Sequence, residues 1–323
     1  MDYTGISTVC ESKLSVNSIK SPLISVLMNC YNGEKYLQEA VESVLAQTYT
    51  NWEIIFWDNQ STDRSAEIVL SYSDKRIKYF YAPTHEILGD ARREAINNAK
   101  GTWIGILDSD DVWCPNKLQD QLAIINEENQ RDDLLGLVYG KVIGLDQNSN
   151  ETSEIGHQDF LGQHLPEGAI LSDLLLKGNF IMGPSILFSI KAFNNIGGFP
   201  KGYISGTDYY ISCAISSQYQ IRSVNRYVAK YRIHDDQLTH EQKIIAYEEQ
   251  ISTFQYWYKI ANISQESKEK RIRELNVYAG LMMIMYDRQF IKGLVRITKH
   301  GSLLFCIIYV LGYFMRKVFK NSI

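Results

Sequence analysis

The amino-acid sequence predicts an α/β fold: a mixed, mostly parallel sheet flanked by helices, with a C-terminal helical extension. Three observations carry this. Short apolar runs alternate with segments of helical periodicity through the first hundred residues, the pattern of βαβ units. Three of these runs end in polar clusters, at 29–32, 58–63 and 108–111. After residue 241 the strand pattern gives way to long helical periodicity. Ligands of open α/β sheets bind outside the carboxyl ends of the strands, so the three clusters are expected to converge on one crevice.

Residues 23–28, after Pro22, read as the first strand, and Leu37, Ala40, Val41 and Val44 place a helix behind it by their spacing. Residues 52–57 form the second strand. The next helix carries Ala66, Val69 and Leu70, with Ser61 or Thr62 as its cap. A third strand over 77–81, a helix over 91–99 and a fourth strand over 103–107 complete the parallel part. Residues 134–145 read as a further strand pair and 146–168 as a polar loop. A short helix over 170–176, a strand over 185–188, a helix over 207–217 and an extended segment over 221–233 follow.

The fourth strand delivers Asp108, Asp110 and Asp111 to one spot. Strand side chains alternate faces, so Asp108 and Asp110 are expected to point the same way. Carboxylates so placed repel one another unless something positive joins them, and an oxygen-rich set suits Mg2+ or Mn2+ with positions left for substrate phosphates. The competing reading is a solvated acidic loop that caps the next helix.

With 323 residues, 45% hydrophobic and 22% charged, the chain is long enough for a large domain plus an appendage and is not of disordered composition. Its five cysteines, at 10, 30, 114, 213 and 306, show no paired spacing, which argues against a disulfide framework or zinc site and fits a reducing compartment. Residues 1–20 mix charges among serines without an apolar core, unlike a secretory leader. No acid follows Asp287, whereas Arg288, Lys292, Arg296, Lys299, Arg316, Lys317 and Lys320 do. Set against a net charge of −4, these leave −11 on the first 287 residues, which excludes a nucleic-acid partner. The basic residues flank an uncharged run over 301–315, shorter than the ~20 residues that span a bilayer. Residues 288–320 are therefore expected to make peripheral contact with an anionic membrane, the alternative being a core helix with a basic exterior.

The chain resembles family-two glycosyltransferases of the GT-A fold, with a Rossmann-like sheet. The likeness runs in order through Ile24-Ser25-Val26, Tyr31-Asn32-Gly33, Asp58-Asn59-Gln60-Ser61-Thr62-Asp63, Ala91-Arg92, Leu107-Asp108-Ser109-Asp110-Asp111, Gly197-Gly198-Phe199 and Tyr231-Arg232-Ile233-His234. The resemblance implies an inverting transferase that moves one sugar from a nucleotide-sugar donor, a UDP-sugar first, to a glycan or lipid-linked acceptor in surface polysaccharide biosynthesis. Such an enzyme would work with Mn2+ or Mg2+, at the cytoplasmic face of the plasma membrane. Residues 1–22 would be a tail, 23–146 the nucleotide-sugar half, 147–238 the acceptor half with the base, and 239–323 the helical extension.

By the same resemblance Asn29 and Tyr31 contact the base, Tyr31 by stacking, and Asp58 or Asn59 bonds its edge. Arg92 pairs with the diphosphate, and Asp108 and Ser109 complete the nucleotide site. The metal falls on Asp110, with Asp108 assisting and His234 as a further ligand. Asp208 is the general base, with Asp235 and Asp236 as weaker alternatives and a helix cap as its structural alternative. Thr207 stands where relatives carry a Glu, and His85 and Ile87 replace the usual Asn and Gly ahead of Ala91-Arg92. Two other functions compete: a catalytically silent nucleotide-sugar-binding protein, and a nucleotidyltransferase, disfavoured by the missing Gly-rich, Lys-bearing loop.

Overall fold

Strands Ile24–Cys30 (β1) and Trp52–Asp58 (β2) are buried along their whole length, as strands covered on both faces must be. They form the centre of the computed structural model, which describes residues 21–128, 134–156, 159–235, 237, 242–285 and 289–301. Ile77–Tyr81 (β3) and Trp103–Ile106 (β4) flank them, all in parallel register. Helices Leu37–Leu45 (α1), Ser65–Leu70 (α2) and Leu88–Ile96 (α3) make the crossovers.

Beyond β4 the sheet becomes mixed. Val112–Trp113 (β5), Leu135–Leu145 (β6), Glu151–Ile155 (β7), Leu187–Ser189 (β8) and Gln220–Arg232 (β9) extend it in the order β3-β2-β1-β4-β8-β6-β9-β5, with β7 on β6. β6 and β9 run parallel, whereas β8 is antiparallel to both β4 and β6. One sheet thus passes through both the first and second halves of the chain. Lys117–Glu128 (α4), Leu171–Lys177 (α5), Ile190–Asn195 (α6) and Thr207–Ser216 (α7) pack on its faces. Lys243–Trp257 (α8), Gln265–Met285 (α9) and Phe290–His300 (α10) form the C-terminal extension.

Three expectations about elements are corrected. Residues 134–145 are one strand, not a pair, and its hairpin partner β7 lies inside the stretch read as a loop. β7 is polar and largely exposed, so no apolar alternation marks it. The turn between them is set by Asp146, whose carboxylate accepts the backbone N–H groups of Asn148 and Asn150. Neither Ser61 nor Thr62 caps α2, whose N-cap is Arg64. Both hydroxyls instead bind Asn32. α4 and α6 go beyond the elements read from sequence.

The sheet's two faces carry separate cores. One, with Val26, Met28, Ile54 and Phe56, faces α1, α2 and α4; the other, with Leu27, Ile55, Ile104 and Ile106, faces α3, α5 and α7. Cys30, Cys114 and Cys213 are free thiols. Among the described residues no helix is long and apolar enough to cross a membrane. The uncharged stretch after Gly301 lies outside the described residues.

Candidate active site

The carboxyl ends of β1, β2 and β4 open, as expected, into one crevice of about 770 Å3, and residues of α7 and α8 form its opposite wall. Asn29, Tyr31, Asn59, Arg92, Asp108, Ser109, Asp110, Asp208 and His234 all line it. Asp58 does not.

The groups at the ends of β1 and β2 differ in how far they are bonded within the protein. Tyr31 is 53% exposed and meets His85 edge-on, with ring centroids 4.3 Å apart, so an aromatic surface faces the crevice. Asn29 is buried at the end of β1 with neither carboxamide atom bonded to the protein. A buried amide with donor and acceptor both unpaired has hydrogen-bonding capacity left for a ligand. Asp58 and Asn59 are already bonded within the protein. Asp58 is fully buried, and its carboxylate accepts from the Ser61 N–H and the Tyr79 hydroxyl, both at 2.7 Å. Asn59 donates to Glu86 O (2.7 Å) and accepts from Glu86 N (3.1 Å), which fixes the 85–87 loop. These bonds hold both side chains at the end of β2, with Asn59 lining the crevice and Asp58 behind it.

The turn after β1 sits tightly on the acidic strand end. A Cβ on Gly33 would stand 2.8 Å from Ser109 Oγ and from Cys30 Sγ. Gly33 N–H donates to Ser65 Oγ and Glu34 N–H to Asp63, so α2's first turn holds this loop.

Each member of the acidic cluster has its own task. Asp108 is ion-paired with Arg92, whose other terminal nitrogen donates to Thr207 Oγ1. Arg92 is itself buried. The guanidinium thus joins α3, the acidic turn and α7 while still lining the crevice, and Thr207 stands where a second carboxylate was expected. Asp110 Oδ2 stands 3.0 Å from His234 Nε2, and His234 Nδ1 has no partner. Asp111 is fully buried and accepts the Arg232 N–H at 2.9 Å. Burial, then the charges of Asp110 and Asp108, push its carboxyl well above the ordinary range.

Arg232 is the functional-site residue that its motif did not reveal. It is fully buried, stacks over the Tyr36 ring at 4.3 Å, and donates to Asp110 O, Asp146 O, Ser149 Oγ and Glu39 Oε2. It pins the end of β9, and with it His234, against the acidic turn.

Asp208 lies in the first turn of α7, where the helix dipole favours a carboxylate. It is not the cap: Gly206 is, and it makes no side-chain bond. Asp208 Oδ2 accepts from Asn179 Nδ2 at 3.0 Å and Oδ1 from its neighbour's N–H at 2.8 Å. Burial raises its pKa, while the Arg92 charge and these hydrogen bonds pull the other way and do not cancel it. Of the alternative bases, Asp235 is exposed and off the crevice, and Asp236 lies outside the described residues.

Among the described residues no three His, Cys, Asp or Glu side chains are grouped to hold a metal. Asp110 and His234 alone form a carboxylate–imidazole pair that fits a Mg2+ or Mn2+ ion completing its shell with water and phosphate oxygens. Asp108, which also lines the crevice, pairs through its Oδ1 with Arg92.

Residues 25–197 match the family described as Glycosyl transferase family 2. An uncharacterized glycosyltransferase of Rickettsia typhi, RT0329, is 34% identical over 222 residues, 68% of this chain and 66% of its own. Another, of Rickettsia felis, is 32% identical over 222 residues, and the match spans only 36% of its length. WfgD of Escherichia coli, named a UDP-Glc:alpha-D-GlcNAc-diphosphoundecaprenol beta-1,3-glucosyltransferase, is 30% identical over 213 residues, 65% of this chain and 77% of WfgD. Among solved structures, S. aureus TarS 1-349 in complex with UDP-GlcNAc superposes with a TM-score of 0.60 at 19% identity, over 81% of this chain and 73% of that one. The mannosyltransferase PcManGT of Pyrobaculum calidifontis, in complex with GDP-Man and Mn2+, gives 0.56 at 16% identity, over 91% and 80%. These two likenesses establish the GT-A fold. With its strand-end clusters gathered in the crevice and its matched segment covering more than half of the residues, the chain belongs to glycosyl transferase family 2.

Proposed function

We propose that the crevice transfers one sugar, with inversion, from a nucleotide-sugar donor to a hydroxyl of a glycan or lipid-linked acceptor. The observation that carries this is the presence of Asp208 and the Asp110–His234 pair in one crevice with the unpaired Asn29 amide and the Tyr31 ring. A UDP-sugar is the first choice of donor and surface polysaccharide (capsule, O-antigen or exopolysaccharide) the product. WfgD, named for a UDP-Glc donor and a lipid-linked acceptor, supports the choice of donor and of a lipid-linked acceptor.

In this reading Tyr31 and His85 present a face for the base and Asn29 bonds its edge or the ribose. Residues 23–146 bind the donor, and 147–238 bring the acceptor. The acceptor oxygen attacks the anomeric carbon as Asp208 takes its proton, and the bond from that carbon to the diphosphate breaks with its electron pair on the diphosphate. The raised pKa of Asp208 strengthens it as a base. Arg92 holds Asp108 and Thr207 in place and keeps Asp208 ionised by its charge. A Mg2+ or Mn2+ ion on Asp110 and His234 would neutralise charge on the departing diphosphate.

We further propose that α10 rests on an anionic bilayer at the cytoplasmic face of the plasma membrane. Ile291, Leu294 and Val295 are exposed on one face, beside exposed Lys292 and Lys299, while Ile297 packs inward. The uncharged run over 301–315 follows this helix in the sequence.

The test is a thermal-shift screen of UDP-, GDP-, dTDP- and CMP-sugars with Mn2+, followed by assay of nucleoside diphosphate release. One donor class is expected to raise Tm and be slowly hydrolysed. Binding without any release would indicate a silent binder, and no binding to any of them would contradict the reading.

A further inference from the structure

We propose that α8 of the C-terminal extension is a wall of the acceptor site, with Gln242, Ala246 and Gln250 forming a subsite for a neutral sugar of the acceptor. The inference rests on the transfer reading above.

These three residues follow one another at four-residue steps, so they lie on one face of the helix, and all three line the crevice opposite the strand ends. Gln242 is the N-cap of α8, and its carbonyl accepts from Ala246 N at 3.0 Å, so the stripe is held by helical bonding from its first residue. Gln250 reaches the neighbourhood of the base: its Oε1 is 4.0 Å from where a side chain on Gly178 would begin, and the next residue, Asn179, is bonded to Asp208.

The chemistry of the stripe selects a class of ligand. Each carboxamide offers donors and an acceptor and carries no charge. Two of them spaced by a methyl group match a pyranose, whose hydroxyls need both donors and acceptors and whose C–H face needs an apolar contact. The stripe itself carries no charge, so it suits a neutral sugar.

The wall is fixed to the catalytic turn. The buried Glu249 of α8 accepts the N–H groups of Ile204, Ser205 and Gly206 and the Ser205 hydroxyl. Gly206 caps α7, two residues before Asp208. The Tyr203 hydroxyl stands 3.0 Å from Thr253 Oγ1, and the Tyr210 ring packs on Trp257. The stripe and the base are thus held at a set separation by one docked helix. Glu249 faces the turn and Gln250 the crevice, so the helix both places the base and meets the substrate.

Saturation-transfer NMR tests this on the full chain loaded with Mn2+ and whichever of UDP, GDP, dTDP or CMP raises its Tm. The probes are the methyl α- and β-glycosides of glucose, galactose, mannose and N-acetylglucosamine. At least one is expected to receive saturation on its ring protons, and the Gln242→Ala/Gln250→Ala variant to weaken that binding fivefold or more at unchanged nucleotide affinity and Tm. Gln250→Leu alone should weaken it in the same sense. A nucleotide-loaded chain that binds none of the glycosides, or a double variant that binds them as the wild type does, would overturn the proposal and leave the donor reading intact. A chain that binds no nucleotide overturns both.

Discussion

In its proposed role as the base, Asp208 has its strength set by its neighbours, and that makes its titration readable. Burial raises its pKa, the Arg92 charge lowers it, and Asp108 raises it again. A general base works only when deprotonated, so transfer is present above this pKa and lost as the pH falls through it. The acid limb of the rate profile is therefore expected above the ordinary Asp value of about 3.9. Arg92→Gln removes the attraction that lowers the pKa and unpairs Asp108, so the limb should move to higher pH. A pH–rate profile of the two proteins checks this, and a limb that stays put or moves down would contradict it. Much of the site is legible at this scale. The three acids after β4 announce themselves, and the Asn29, Tyr31 and Asp208 positions face the crevice as the motifs imply. What the residues are bonded to is not legible. Arg92 meets Thr207 across 115 positions of chain, and nothing in either local sequence predicts that bond. Asp58 and Asn59 sit at the right strand end, but their carboxyl and amide groups turn inward to Tyr79 and Glu86.

Elements were readable where apolar periodicity marks them. β1, β2 and β4 are buried and mostly apolar, and they end within two residues of the ends the sequence implies. β7 is polar and escapes the same reading, because an exposed strand on β6 needs no apolar face. α10 was legible as an amphipathic helix, but its inner face was not. It packs on α9 through Gly293, where a Cβ would come 2.6 Å from Gly280 O, and through Ile297, buried at 3% exposure. Arg296, one of the expected membrane cations, is turned to Glu248 and Asn276 instead. The outward face keeps Ile291, Leu294 and Val295, with Lys292 and Lys299 worth about 1 kcal/mol each near an anionic surface. Full-length protein should therefore sediment with phosphatidylglycerol-containing vesicles at low salt and be partly released at high salt. Ile291→Ser/Val295→Ser should release most of it at either salt, with Tm little changed because both side chains are exposed. Protein that stays in solution with vesicles at low salt would contradict the membrane assignment.

At the scale of the whole molecule, the crevice is made by joins between segments far apart in sequence. β5, just after the acidic turn, pairs with β9. Arg232, at the end of β9, reaches back to Glu39 on α1 and to the hairpin turn at Asp146 and Ser149. The sheet's parallel half could be anticipated from βαβ alternation. The order of its second half could not, because β6, β8 and β9 are placed by side-chain packing rather than by short connections. Nor could the wall made by α8: Gln242, Ala246 and Gln250 are unremarkable in sequence, and only the docking of the extension turns them toward Asp208. The central claim is that this crevice performs sugar transfer with Asp208 as the base. Steady-state transfer by Asp208→Asn against the wild type, with donor affinity measured in parallel, tests it most directly. The account predicts donor binding close to wild type and a rate lower by roughly a hundredfold or more, as a lost general base gives. A variant that transfers at the wild-type rate would contradict it.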